Sequence, residues 1–372
     1  MKTEARERIL LLVSGDMRSD LDRIALGKSP RRDYLELANE LGAAVVDAGS
    51  AQSGWIWRLI GRLVGRDIPV VMAAQRRLGG ADVVFTDNER LGSLLALSLR
   101  LPRRARPRHV MLGHHLSPRK KQPFLRLARS AIDLLIVHSM AQKQVAVERL
   151  GIDADAVVVL PYQVDTEFWR PREHGVEDLI SSAGLEFRDY ETLLAAADGL
   201  GVEVAVGAAS NWSQKRNSLS RRPLPSWFTV GTYDYEALRD LYVRSRFVVA
   251  PLLETDFQAG ITLILEAMAC GSAVLVSHTS GQRETVLGPL WSAGDVNWPI
   301  GGLSVVESTG IYVPPGDVGA LRAAMKFMLT NPDVCAALGA NGRRLVEAEF
   351  TVELFAKRFA AAIAQAGAEY AL

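Results

Sequence analysis

The feature that most constrains this chain is an alternation run through twice. Short apolar runs of strand length are separated by longer stretches of helical period. In the first series the apolar runs fall at 9–13, 43–46, 83–85, 109–112, 134–137 and 157–160. Helical patterns lie between them at 34–41, 91–99, 124–129 and 141–150. Runs without a polar face need cover on both sides, so the alternation predicts a parallel sheet between two helical layers. A break follows from Pro161 through Asp165, Phe168 and Trp169 to Pro171. The pattern then restarts, with strand-type runs at 179–182, 202–206, 228–230, 247–250, 273–276 and 310–313. Helical patterns fall at 190–197, 235–242 and 261–269, and the tail is helical at 320–329, 334–348 and 352–366. The expected fold class is α/β, with two Rossmann-like doubly wound domains, 1–163 and 172–349, facing a central cleft. The last segment, 350–372, is expected to be a helix packing back towards the first domain. Ligands of such folds sit outside the carboxyl ends of the strands.

The chain has 372 residues, 48% apolar and 23% charged, which suits two globular domains and argues against disorder. Its two cysteines, Cys270 and Cys335, are too few and too far apart for a disulfide framework or a CxxC metal site. The apolar run at 9–13 is too short for a signal sequence, and no apolar stretch reaches the roughly 20 residues of a membrane span. A cytoplasmic protein is expected. Charge is unevenly spread. Residues 1–165 carry 26 Lys and Arg against 18 Asp and Glu, whereas the remainder carries 17 against 24. The first half is suited to an anionic partner.

Chemistry is carried by the second half. From Phe247 the chain reads Phe-Val-Val-Ala-Pro-Leu-Leu-Glu-Thr-Asp-Phe-Gln-Ala-Gly-Ile-Thr-Leu-Ile-Leu-Glu-Ala-Met-Ala-Cys-Gly, followed by Gly281-Gln282-Arg283-Glu284. This closely resembles the donor-binding segment of glycosyltransferase family 4, retaining enzymes of GT-B architecture. The family's Glu-x7-Glu pair opens a helix that runs into Glu-Ala-Met-Ala-x-Gly. Here the second acid is Glu266, and the position of the first holds Gln258. The link Val164-Asp165-Thr166-Glu167-Phe168-Trp169-Arg170-Pro171 resembles the family's interdomain segment, and Arg188-Asp189-Tyr190 stands at its Lys-Gly helix start. Asn341-Gly342-Arg343-Arg344 follows the family's usual ending.

The resemblance implies transfer of a sugar from a nucleoside-diphosphate sugar, the donor substrate, with no further cofactor and no bound metal. The diphosphate requires backbone N–H groups at a helix N-terminus and a cation. Ala259, Gly260, Ile261 and Thr262 are the candidates for the first, with Thr262 as cap, and Arg188 for the second. Glu266 is placed to accept from the ribose hydroxyls. Gln258 faces the donor sugar, where an amide pairs with hydroxyls but is neither nucleophile nor base. Asp256 is a candidate for a further sugar contact. Gly281 and Glu284 occupy the family's Gly-x-x-Glu position, as donor contacts or as a structural turn. With no carboxylate placed as nucleophile, the donor phosphate itself is the expected proton acceptor.

In the first half, Gly113-His114-His115 ends a strand at the sheet's carboxyl edge. The family often has a donor-sugar histidine there, and His115 is favoured over His114. Asp153-Ala154-Asp155 has the shape of a metal motif but reads as a solvated turn. Arg58, Arg62 and Arg66 recur at i, i+4 and i+8 beside Trp55 and Trp57. With the basic 100–121 stretch they suit an anionic membrane surface on its inner face, or an anionic acceptor. Nucleic acid is disfavoured, because no interleaved aromatic motif accompanies the charge. A non-catalytic nucleotide-sugar-binding protein and a GT-B nucleotide-sugar epimerase are the alternatives.

Overall fold

A computed structural model describes residues 9–51, 67–100, 106–172, 175–208, 223–295 and 304–368. The chain forms two compact units. One comprises residues 1–27, 31–162 and 352–372, the other residues 28–30 and 163–351.

The first unit holds a six-stranded sheet. Its strands are β1 (Ile9–Leu12), β2 (Ala44–Val46), β3 (Val83–Thr86), β4 (Arg108–Gly113), β5 (Leu134–Val137) and β6 (Val157–Val159), in the order β2-β1-β3-β4-β5-β6. Every neighbouring pair is parallel. The continuous apolar runs are explained by burial on both faces. Leu10, Leu12, Val84, Met111, Leu135 and Val137 pack into one core beneath the helices Glu89–Leu99 and Gln122–Ala128. Leu11, Phe85, Val110, Leu112 and Ile136 pack into the other, which the final helix Val352–Ala368 fills with Phe355, Phe359 and Ile363.

The second unit repeats the plan with β7 (Leu179–Ala183), β8 (Glu203–Gly207), β9 (Phe228–Gly231), β10 (Phe247–Ala250), β11 (Val274–Ser277) and β12 (Gly310–Val313). The order is β12-β11-β10-β7-β8-β9, again all parallel. Read from β9, this is the dinucleotide-fold order 3-2-1-4-5-6, whose strand order reverses between β7 and β10. Asp189, Asp234 and Asp317 cap the helices that follow β7, β9 and β12, each accepting a backbone N–H three residues on.

The helices Met17–Ala25 and Asp67–Ala74 were not legible in the sequence pattern. The first carries only a narrow stripe, Met17, Leu21 and Ile24, among six polar and small residues, and buries none of its residues fully. The second is apolar almost throughout, with Pro69 in its first turn, and so has no period. The helix expected at 141–150 divides into an α-helical turn, Met140–Gln144, and a wider π turn, Val145–Arg149.

Candidate functional site

The reversal point of the second sheet is where the motif residues gather. The chain leaves β7 through Gly184 and Phe187, the latter in the left-handed region at φ 54°. That conformation is unusual for a bulky residue and marks a backbone held by its surroundings. Leu253 donates its N–H to Phe187 O at 2.9 Å, and Asp189 donates to Pro251 O at 2.9 Å. Arg188 also pairs with Leu252 as an isolated bridge. The loop after β7 is thereby zipped to the loop after β10, and the Phe187 and Phe257 rings meet edge to face at 5.1 Å. Arg188 turns inward. Its Nε donates to Ala183 O and its Nη1 to Glu186 O, both at 2.8 Å, while Nη2 donates to no described residue. Burial pulls its pKa down, opposed by Tyr190, Tyr242, Glu186 and Glu266. This is a fixed cation, not a freely solvated surface charge.

The guanidinium lies beside the start of the helix Ile261–Ala269. A Cβ added to Gly260 would stand 3.6 Å from Arg188 Nη1. Gly260 is the N-cap, at φ 79°, a conformation that glycine adopts without strain. The expectation of a Thr262 cap is corrected here. No described side chain caps this helix, and Thr262 is exposed within its first turn. Two of the four expected donors are used locally, Ala259 N–H on Phe257 O and Ile261 N–H on Gln258 O. The N–H groups of Gly260 and Thr262 donate to no described residue. The rest of the helix is buried apart from Glu266, which accepts a hydrogen bond from the Tyr242 hydroxyl at 3.3 Å. Burial and the Glu266 charge push the Tyr242 phenol well above its ordinary pKa, so it stays protonated and keeps donating.

Gln258 precedes this helix. Its Oε1 is shut off from solvent and accepts no hydrogen bond from the described residues. A buried amide oxygen without a donor is costly and calls for a partner. Asp256 is partly buried two residues earlier. Gly281 has a structural task. Its N–H donates to Thr255 O at 2.9 Å, and a Cβ there would come within 2.3 Å of Phe257 O. Only glycine lets the two loops meet so closely. Ser280 adds two bonds to Glu254 Oε1, at 2.9 Å from its N–H and 2.6 Å from its hydroxyl. Glu284 is exposed on the same loop.

In the first unit, His114 is held by its surroundings. Its N–H donates to Glu89 Oε2 at 3.1 Å, and its Nε2 lies 3.1 Å from Asp87 O. Its ring faces those of His138 at 5.3 Å and Tyr162 at 6.4 Å. His115 is partly exposed, and its carbonyl accepts from Lys121 Nζ at 3.2 Å. Lys121 also pairs with Glu89 Oε1 at 2.6 Å. Burial pushes the Glu89 carboxyl up, but Lys121 and His114 outweigh it and hold the group below its usual value. Asp87 accepts from Ser14 N–H at 2.7 Å and Ser14 Oγ at 2.9 Å, yet burial still raises its pKa to about 6. The sequence reading missed Asp87, Glu89, His138 and Tyr242, and it took Lys121 for an anion-binding side chain when its charge is paired with Glu89. None belongs to a short motif, and strands or helices far apart in sequence bring them together.

Arg58, Arg62 and Arg66 lie outside the described residues, as do residues 101–105. Within the basic 100–121 stretch, Arg106 is spent on Asp133 through two bonds of 2.7 Å and Lys121 on Glu89, whereas Arg119 and Lys120 stand exposed. Asp153 accepts from Asp155 N–H in a short solvated turn. Among the described residues no group of three or more His, Cys, Asp or Glu is gathered to hold a metal ion. Nor is any described helix long and apolar enough to cross a membrane.

Residues 193–331 match the family described as Glycosyl transferases group 1. The chain is 25% identical over 228 residues to the MMP alpha-(1->4)-mannosyltransferase of Mycolicibacterium hassiacum, an alignment covering 59% of this chain and 50% of that protein. The chain thus spans about half the length of this relative. Sucrose-phosphate synthase from Thermosynechococcus elongatus is similar with a TM-score of 0.70 at 19% identity, over 97% of this chain and 100% of that one. Anabaena HepE, solved in complex with UDP-glucose, is similar with a TM-score of 0.64 at 16% identity, over 96% and 99%. At these identities the likeness to the solved structures is one of fold. The chain has the GT-B fold, two Rossmann-like α/β units in tandem, and within it residues 193–331 are similar to the Glycosyl transferases group 1 family.

Proposed function

We propose that this protein is a glycosyltransferase that moves a sugar from a nucleoside-diphosphate sugar to an acceptor hydroxyl with retained anomeric configuration. The observation that carries this reading is the reversal point of the second sheet. There, Arg188 lies beside a glycine-capped helix whose Gly260 and Thr262 N–H groups have no described partner, and Glu266 lies further along the same helix. A diphosphate fits the first two features, through the helix N-terminus and the planar guanidinium. A ribose diol fits the third. Gln258, with its unpartnered Oε1, takes a sugar hydroxyl as donor. The second unit holds the donor and the first the acceptor, with His115, or else His114, as the first unit's contact to the donor sugar. Catalysis is by positioning and by stabilising the departing diphosphate, whose oxygen accepts the acceptor's proton. The match to the group 1 family and the fold shared with HepE support the donor class.

The test is a thermal-shift screen with UDP-, GDP-, ADP- and dTDP-sugars, followed by product detection with the strongest binder. A ligand that binds only the folded state raises the melting temperature. Stabilisation by one base class, with sugar transferred in the retained configuration, is the expected result. No shift from any donor would contradict the reading.

A further inference from the structure

The helix Gln122–Ala128 of the first unit packs through Leu125 and Ala128, which are 1% and 0% exposed, yet it turns Phe124 and Leu127 outward at 62% and 52% exposure. Two large apolar side chains side by side in water are an unfavourable arrangement for a surface with no partner. Cations surround them. Arg119 and Lys120 are exposed in the turn that leads into the helix, and Arg126 is exposed on it. Arg129 follows directly and is also exposed. Arg100 approaches from the neighbouring helix, donating to Leu127 O at 2.9 Å. Arg126 and Arg129 likewise bond neutral backbone, Arg149 O at 2.8 Å and Leu150 O at 3.2 Å. Among the described residues no carboxylate pairs with Arg100, Arg119, Lys120, Arg126 or Arg129. This sets them apart from Arg106 and Lys121, whose charges are neutralised within the fold.

We propose that this face docks on an anionic lipid bilayer, with Phe124 and Leu127 entering the headgroup boundary and the surrounding Arg and Lys side chains meeting lipid phosphates. An exposed aromatic and an aliphatic residue within a ring of unneutralised cations is the chemistry of an interfacial anchor. The sequence also sets Trp55 and Trp57 beside Arg58, Arg62 and Arg66, which lie outside the described residues. The proposal does not depend on the transfer reaction, so neither stands or falls with the other.

The experiment is flotation of the full chain with vesicles of phosphatidylcholine containing roughly a third phosphatidylglycerol, beside pure phosphatidylcholine. The wild type floats with the anionic vesicles, does so less as salt screens the charges, and stays behind with the neutral ones. Phe124→Ser/Leu127→Ser weakens binding by about tenfold or more. Arg119→Gln/Lys120→Gln/Arg126→Gln does the same, at about fivefold per charge. All five side chains are exposed, so both variants keep the wild-type melting curve. Equal binding to both vesicle types, or wild-type affinity in either variant, overturns the proposal. So does a wild type that ignores vesicles but is dimeric by sedimentation, with Phe124→Ser/Leu127→Ser monomeric. That outcome makes the face an interface between copies of this chain.

Discussion

The Tyr242 hydroxyl donates to Glu266 Oε2 at 3.3 Å, joining the helix that follows β9 to the helix that opens at Gly260. This ties the Glu266 carboxylate to the neighbouring helix and fixes its orientation. Tyr242→Phe removes one hydrogen bond and nothing else of size. Its expected effect is a loss of about 0.5–1.5 kcal/mol in nucleotide binding, roughly twofold to tenfold. Glu266→Ala removes the proposed ribose contact and is expected to lose tenfold or more. Calorimetry with the nucleotide that gives the largest thermal shift checks both. Unchanged binding by Glu266→Ala would place the ribose elsewhere.

The close approach at Gly281 makes a stability prediction. A methyl group there meets the backbone of Phe257, which has no rotamer to yield. Gly281→Ala should destabilise the second unit by about 1–3 kcal/mol, the usual range for overpacking. A lower midpoint in urea is the expected reading. A midpoint equal to wild type would mean that the loop shifts freely.

Two buried histidines set a pH dependence. Burial lowers His109 to about 4 and, with help from the His114 charge, His138 to about 3, from an ordinary 6.5. His109 sits between the Ala131 carbonyl on Nδ1 and the Thr86 hydroxyl on Nε2, each at 3.0 Å, an arrangement that suits the neutral ring. Between these values and 6.5 the unfolded chain binds protons that the folded chain refuses. Stability therefore rises with pH through this window and is lost as pH falls below about 6.5, with a slope of up to about 1.4 kcal/mol per pH unit for each histidine. Asp87, raised to about 6 from 3.8, works in the opposite direction, since the folded chain binds its proton first. Asp33 and Asp67, also raised by burial, act with Asp87. The histidine part of the dependence is a fall in the denaturation midpoint from about pH 7 to about pH 5. His138→Phe should flatten that fall, and an identical slope in the variant would contradict this account.

The fold was legible because both sheets are covered on two faces, so nearly every strand announces itself as an unbroken apolar run. Val83–Thr86, Leu134–Val137 and Val274–Ser277 are buried end to end. The helix from Ile261 was legible for a related reason, since only Thr262 and Glu266 interrupt its apolar surface. What the sequence withheld are relations across distance. Glu89 meets Lys121 and His114 from 32 and 25 residues away, and Tyr242 meets Glu266 from 24. No local period records such pairs. The spending of the Ile261 N–H within the turn was equally hidden, because it follows from the left-handed backbone at Gly260 and not from residue type.

Gln258 tests the central claim most directly, because its Oε1 is buried without a partner at the position where the resembled family carries an acid. The measurement is release of nucleoside diphosphate and formation of glycosylated product by wild type, Gln258→Ala and Gln258→Glu with the preferred donor. The account predicts turnover by the wild type. It predicts a loss of about 1–3 kcal/mol of transition-state binding in Gln258→Ala, roughly fivefold to over a hundredfold in kcat/KM. Gln258→Glu should alter donor preference or slow the rate. Turnover by Gln258→Glu alone, with a silent wild type, would make the natural chain a binding protein and contradict the account.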